Sequence, residues 1–253
     1  MIVVKLGGRV QTDPGLIPAL AALWVAMPGR LAIVHGGGDG VSEMQRRLGR
    51  EPSFVNGRRI TSAEDVDLVR MVLSGTSNKR LVSELVAAGI PAVGISGEDG
   101  GLIEAEPIDL EAFGHAGTPV GICTRIVDTL LASNFLPVIS PVARDIRSSR
   151  GAALNVNGDD AAAALAAALK SQLWMIADVA GVLDKNRRVV DSLNKRVTES
   201  LVANGVVNSG MHAKLEAGFA ALEKGATAVR VAGLEAISNP QSRCGTLLTT
   251  SMS

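Results

Sequence analysis

Short uninterrupted apolar runs recur along this chain, separated by longer stretches in which apolar residues return every three or four positions. The runs Ile2–Leu6, Leu31–Val34, Ala92–Ile95, Pro137–Ile139, Trp174–Ala177 and Ala228–Val231 read as strands. They are continuous rather than alternating, as strands covered on both faces of a parallel sheet are. Helical spacing predicts helices at Leu16–Ala26, Val41–Leu48, Ala63–Ser74, Lys79–Ala88, Arg125–Ala132, Asp160–Leu169, Lys195–Asn204 and Met211–Lys224. Repeated βα alternation of this kind predicts a doubly wound α/β sandwich.

Three stretches break the rhythm. Leu102 to Gly121 carries Pro107, Gly114, Gly117 and Pro119 between short extended pieces and reads as a hairpin or lid. Arg144–Gly151 reads as an exposed loop, and Lys185–Arg188 as a turn between short strands. No repeat or low-complexity linker divides the chain, so any second lobe is expected on the same sheet.

Composition narrows the classes. Hydrophobic residues make up 47%, ample for a core, but aromatics supply only 2% and tyrosine is absent. The core must therefore be aliphatic, and a base-stacking platform has little to be built from. Net charge is zero, so neither nucleic acid nor an anionic membrane is an expected partner. Cys123 and Cys244 lie far apart and only three histidines are present, which argues against a zinc site and for reduced thiols in a cytoplasmic protein. Lys5 interrupts the N-terminal apolar run, which does not fit a signal peptide, and the run Ala161–Leu169 is too short to span a bilayer.

In open α/β sheets ligands bind beyond the carboxyl ends of the strands. The first strand ends in KLGGR, Lys5 to Arg9, and the second in HGGGDG, His35 to Gly40. Glycines let backbone approach a ligand, and amides at a helix start favour anions. One such turn could be a tight connection only; two at adjacent strand ends, beside a lysine, point to anion binding. His35 alone reads as a packed loop histidine. In LNVNGDDAAAAL, Asp159 or Asp160 is expected to cap the helix, which leaves Asn155, Asn157 and one acid unaccounted for. Lys214 falls in or near the first turn of the last long helix, where the macrodipole disfavours a cation unless an anion is there to be neutralised. Neither GxxxxGK[ST], GxGxxG nor GxSxG is present, Val41 filling the last position of the second pattern. A phosphate- or nucleotide-using enzyme without the common fingerprints remains.

KLGG at Lys5–Gly8, VHGGG at Val34–Gly38, NGRRIT at Asn56–Thr61, NVNGDDAA at Asn155–Ala162, DVAGVL at Asp178–Leu183 and GMHAK at Gly210–Lys214 occur in order. Together they resemble the amino-acid kinase family, over essentially the whole chain, and its branch acting on N-acetyl-L-glutamate in arginine biosynthesis. The resemblance implies a three-layer αβα sandwich around a mainly parallel eight-stranded sheet. Residues 1–153 would form the lobe for the acyl amino acid and dimerisation, and residues 154–253 the MgATP lobe, on one continuous sheet. The implied reaction passes the γ-phosphoryl group of ATP to the side-chain carboxylate, giving an acyl phosphate.

Carried over by motif, Lys5 and Lys214 would neutralise the migrating phosphoryl group and Asp159 would orient them. Gly37, Gly38, Arg59 and Asn155 would bind the acceptor, Arg59 through its α-carboxylate. Gly7, Gly8, the loop of Asp178, Val179, Ala180, Gly181, Val182 and Leu183, and Val206, Val207 and Asn208 would bind ATP, with Mg2+ held through the nucleotide and no metal site of the protein's own. Arg9 stands where the family more often has a smaller or uncharged residue. Acceptors such as N-succinylglutamate or a carrier-linked or N-acetyl aminoadipate are alternatives, and a non-catalytic nucleotide or amino-acid sensor is the rival of another class. The first strand begins at residue 2, without the extra helix of arginine-inhibited relatives, which implies an arginine-insensitive homodimer.

Overall fold

The computed structural model describes residues 1–55, 57–241 and 244–250. The chain opens with β1 (Ile2–Leu6), α1 (Leu16–Ala26), β2 (Leu31–His35) and α2 (Gly38–Arg47). Two short antiparallel strands, β3 (Phe54–Val55) and β4 (Arg58–Arg59), precede α3 (Ala63–Val69) and α4 (Asn78–Ala87). β5 (Ala92–Ser96), β6 (Ile103–Pro107), α5 (Leu110–Phe113), β7 (Ala116–Ile122), α6 (Arg125–Ala132), β8 (Leu136–Ser140), β9 (Val142–Asp145) and β10 (Ala153–Val156) lead to α7 (Gly158–Ala168). β11 (Gln172–Ile176), β12 (Ser192–Leu193), α8 (Lys195–Ala203), α9 (Ser209–Glu223), β13 (Ala228–Ala232), α10 (Glu235–Ser238) and β14 (Thr246–Leu248) complete the described chain.

Eight strands form one sheet in the order β12-β14-β13-β11-β1-β2-β8-β5, parallel except between β13 and β14. All six strands expected from the apolar runs are in it. Alternation along each strand feeds two cores. Ile2, Val4 and Leu6 of β1 pack with α1, α4 and α10, whereas Val3 packs with α6, α7 and α9. Lys5 shares the face of Val3, so its side chain runs toward α7. Small residues let those helices lie close: a Cβ on Gly218 of α9 would meet Leu248 Cδ1 at 2.5 Å.

Several local expectations change. The stretch from Leu102 to Gly121 is a hairpin, β6 against β7, but not a free lid. It closes with β9 and β10 into a four-stranded barrel. Arg144 and Asp145 consequently belong to β9, not to a loop. The turn at Lys185–Arg188 sits inside a single bridge, Leu183 to Val189, without strands. The helix expected at Ala63–Ser74 keeps α geometry only to Val69, capped by Ser62, whose hydroxyl accepts from Asp65 N. Arg70–Ser77 continues in wider π turns straight into α4. Those turns set Leu73 and Ser77 against Gly37, where a Cβ would lie 2.7 Å from Leu73 Cδ2. A 3.6-residue pattern cannot register that change of pitch.

Candidate active site

Gly7 and Gly36 extend the sheet past the last side chains: Gly7 N donates to Ile176 O at 2.9 Å and Gly36 N to Leu6 O at 3.1 Å. The amide of Gly7 is thus occupied, and its use lies in its small size beside the groove. The chain then turns into α2, whose first intrahelical bond runs from Val41 N to Gly37 O. The amides of Gly38, Asp39 and Gly40 precede that bond and lack a helical acceptor.

α7 starts just across from β1. Its cap is Asn157, whose side chain accepts from Asp159 N at 2.8 Å, and neither aspartate serves in that role. Asp159 is thereby free to pair elsewhere: Lys214 Nζ donates to its Oδ1 at 2.8 Å, and Lys5 Nζ forms an ion pair with the same oxygen at 2.8 Å. All three residues are buried, between 7% and 8% exposed. Gly158 leaves space for this, since a Cβ there would come within 3.4 Å of Lys5 Cε. α9 begins at Ser209 with Asn208 as its cap, which puts Lys214 in the second turn, beyond the worst of the dipole penalty.

Burial alone would raise the Asp159 carboxyl; the charges of Lys5 and Lys214 outweigh it and bring it down to about 2. Lys214 moves the other way. Burial and the neighbouring Lys5 lower its ammonium to about 8 against the pull of Asp159. Two ammonium groups on one carboxylate leave a net positive cluster, an arrangement suited to receiving a polyanion.

Two depressions meet at this cluster. A cavity of about 220 Å³ is lined by Gly37, Gly38, Arg59, Asn155, Val41, Leu73 and Ile108 among others. A groove of about 320 Å³ is lined by Gly7, Arg9, Asp39, Asp178 and Lys214. Lys5, Gly8 and Gly38 border both. Arg59 is buried beneath Phe54, its guanidinium carbon 4.6 Å from the ring centroid, and is held by Gln45, Ser42 and the carbonyl of Gly38. Asn155 Nδ2 donates to Thr61 Oγ1 at 2.9 Å.

Lys5, Lys214 and Asp159, expected to act on the phosphoryl group, and the four residues expected at the acceptor are therefore gathered at one place, with Gly7, Gly8 and Asp178 beside them. Val179 to Leu183 and Val206 to Asn208 line neither depression. Val182 and Val207 are core residues, Val182 N donating to Thr246 Oγ1 at 2.8 Å. Arg9 pairs with Asp178, Nη1 to Oδ2 at 3.0 Å, at the rim of the groove. His35 is fully buried between Gly36 O and Asn78 Nδ2, and burial lowers it to about 4, so it is neutral and no base. Sequence reasoning passed over Arg58, Phe54 and the Ser42–Gln45 cradle. The doubled arginine of NGRRIT was a signal for the first; nothing local marks the others. Asn56 of that motif lies outside the described residues.

The family model for the amino acid kinase family matches residues 1–233. The acetylglutamate kinase of Geobacillus stearothermophilus is 41% identical over 225 residues, 87% of this chain and 85% of that one. That of Chloroflexus aurantiacus is 39% identical over 92% of this chain and 91% of its own. The crystal structure of smu.665 from Streptococcus mutans UA159 superposes with a TM-score of 0.85 at 25% identity, covering 99% and 98% of the two chains. Matched in sequence and in fold along nearly its whole length, the chain belongs to the amino acid kinase family.

Proposed function

We propose that the chain catalyses ATP-dependent phosphorylation of the side-chain carboxylate of N-acetyl-L-glutamate, giving N-acetyl-L-glutamyl 5-phosphate in arginine biosynthesis. The observation that carries the reading is the convergence of Lys5 and Lys214 on one oxygen of Asp159, where the cavity and the groove meet. The acceptor belongs in the cavity, with Arg59 for its α-carboxylate and Asn155, Gly37 and Gly38 around it. The nucleotide belongs in the groove, its phosphates on Gly7, Gly8 and the two lysines. Asp178 to Leu183 and Val206 to Asn208 serve the rest of ATP. In this division residues 1–153 supply most of the acceptor site, joined by Asn155, and residues 154–253 most of the nucleotide site, joined at the phosphates by Lys5, Gly7 and Gly8.

In the reaction a carboxylate oxygen forms a bond to the γ-phosphorus while the bond to the ADP oxygen breaks. The acceptor is already ionised at neutral pH, so no proton need be removed. Positioning and charge neutralisation suffice, which suits a site of ammonium groups and free amides. Mg2+ would arrive on the nucleotide, with the exposed carboxylates Asp39 and Asp178 on its groove as hard oxygen donors. Its contribution when bound is to screen charge on the phosphates. A cytoplasmic homodimer completes the proposal: the cysteines are free, β5 ends the sheet, and Val86 at the end of the helix before it and Phe135 just ahead of its neighbour β8 are exposed. Among the described residues no helix is long and apolar enough to cross a membrane.

Hydroxylamine trapping of the acyl phosphate tests the reading, with MgATP and N-acetyl-L-glutamate, N-succinylglutamate, N-acetylaminoadipate, aspartate and glutamate as acceptors. N-acetyl-L-glutamate is expected to give the strongest signal, and Lys5→Ala or Lys214→Ala to reduce turnover by at least about a hundredfold. Wild-type rates in both variants, or no product with any acceptor, would overturn it.

A further inference from the structure

Arg58 takes no part in the proposed phosphoryl transfer, although it lines the acceptor cavity next to Arg59. It also borders a second crevice, between α7 and α9. There its guanidinium donates to Asp160 Oδ2, one residue beyond the carboxylate that holds the lysines. The two side chains are 29% and 16% exposed, so the pair is largely out of solvent. Asp160 is not needed as a cap, because Asn157 fills that position. Burial raises its carboxyl, Asp159 and Glu216 add to that, and Arg58 is the cation that opposes them. A carboxylate so placed is unfavourable without its partner. The same ribbon approaches α9 as well, a Cβ on Gly57 lying 3.9 Å from Ala213 Cβ, next to Lys214.

We infer that Arg58 and Asp160 are positioning residues, whose pair ties the β3–β4 ribbon carrying Arg59 to the helix carrying Asp159. The inference rests on the acceptor site proposed above and deepens it. The guanidinium of Arg58 is taken up by Asp160. It joins residues from the two halves of the chain, so that the group gripping the acceptor keeps a fixed spacing from the groups receiving the phosphoryl charge. Without the pair the ribbon loses its hold on α7, while the lysine cluster keeps its own bonds.

The test measures steady-state kinetics with MgATP and N-acetyl-L-glutamate for Arg58→Ala, Arg58→Lys and the reversal Arg58→Asp with Asp160→Arg. Amide hydrogen exchange at Arg58 and Arg59 in the unliganded protein accompanies it. Arg58→Ala is expected to raise KM for the acceptor about tenfold, equivalent to ~1.4 kcal/mol, and KM for ATP by less than about twofold. Arg58→Lys and the reversal recover part of that loss, and exchange at Arg58 and Arg59 accelerates in Arg58→Ala while α7 is unchanged. An unchanged acceptor KM, or an equal rise in both KM values, overturns the inference. Should the wild-type protein phosphorylate no acyl amino acid, the acceptor reading fails by itself, and exchange alone decides the tether: faster exchange supports it and unchanged exchange refutes it.

Discussion

Lys214 holds a charge where burial and a second ammonium both work against it, and its pKa near 8 makes that tension measurable. Above about pH 8 the free enzyme loses the proton, so kcat/KM for ATP should fall as pH rises through that value. At saturating MgATP the bound phosphates favour the charged form, and kcat should hold to higher pH. Initial rates across roughly pH 7 to 9.5 check this; two superimposable profiles would refute it. Stability follows the opposite sign. Because the folded pKa lies below the ordinary value of 10.5, the penalty is complete below about 8 and is relieved as pH climbs toward 10.5. Asp159, held near 2 against 3.8, contributes stability above the upper value that is lost as pH falls toward the lower.

At the scale of elements, one glycine lets the segment after β4 pass against the start of β7, a barrel strand that lines the proposed acceptor cavity. Gly114 ends α5 with φ 59° and ψ −130°, and a Cβ there would lie 2.3 Å from Thr61 O. That close passage lets Thr61 N donate to Phe113 O and His115 N to Thr61 O, and Thr61 in turn receives Asn155. Gly114→Ala should lower the unfolding free energy by about 2 kcal/mol and raise KM for the acceptor. Urea denaturation and initial rates measure the two effects, and a stability change below about 0.5 kcal/mol would contradict this role for the glycine. Gly114 was visible in the sequence as a breaker of rhythm. Its partner Thr61 was not, because the contact joins segments far apart along the chain. The same holds for Arg59: NGRRIT marked it, but Gln45, Ser42 and Phe54 around it carry no pattern of their own.

For the molecule as a whole, the two depressions meet over a net positive cluster, so ligands that fill them should stabilise the fold. MgATP at a hundred times its Kd adds about 2.7 kcal/mol, which for a chain of this size raises Tm by roughly 5–10 °C. Lys5→Ala should lose most of that shift, whereas thermal denaturation without nucleotide still shows a single folded population. An equal shift in both proteins would remove Lys5 from the nucleotide site.

The sequence by itself determined six of the eight strands of the main sheet and the glycine turns that follow the first two. These follow from local periodicity and from backbone freedom within a few residues, and β1 appears with the bounds read from its apolar run. It also named the lysines, through motifs spaced along the chain. Only the tertiary structure decided that neither aspartate caps the helix, that both ammonium groups close on a single oxygen of Asp159, and that Asp160 joins Arg58. Neighbouring carboxylates on one helix turn look alike in sequence. What separates them is the direction each side chain takes into a packed interior, where a charge persists only beside its opposite.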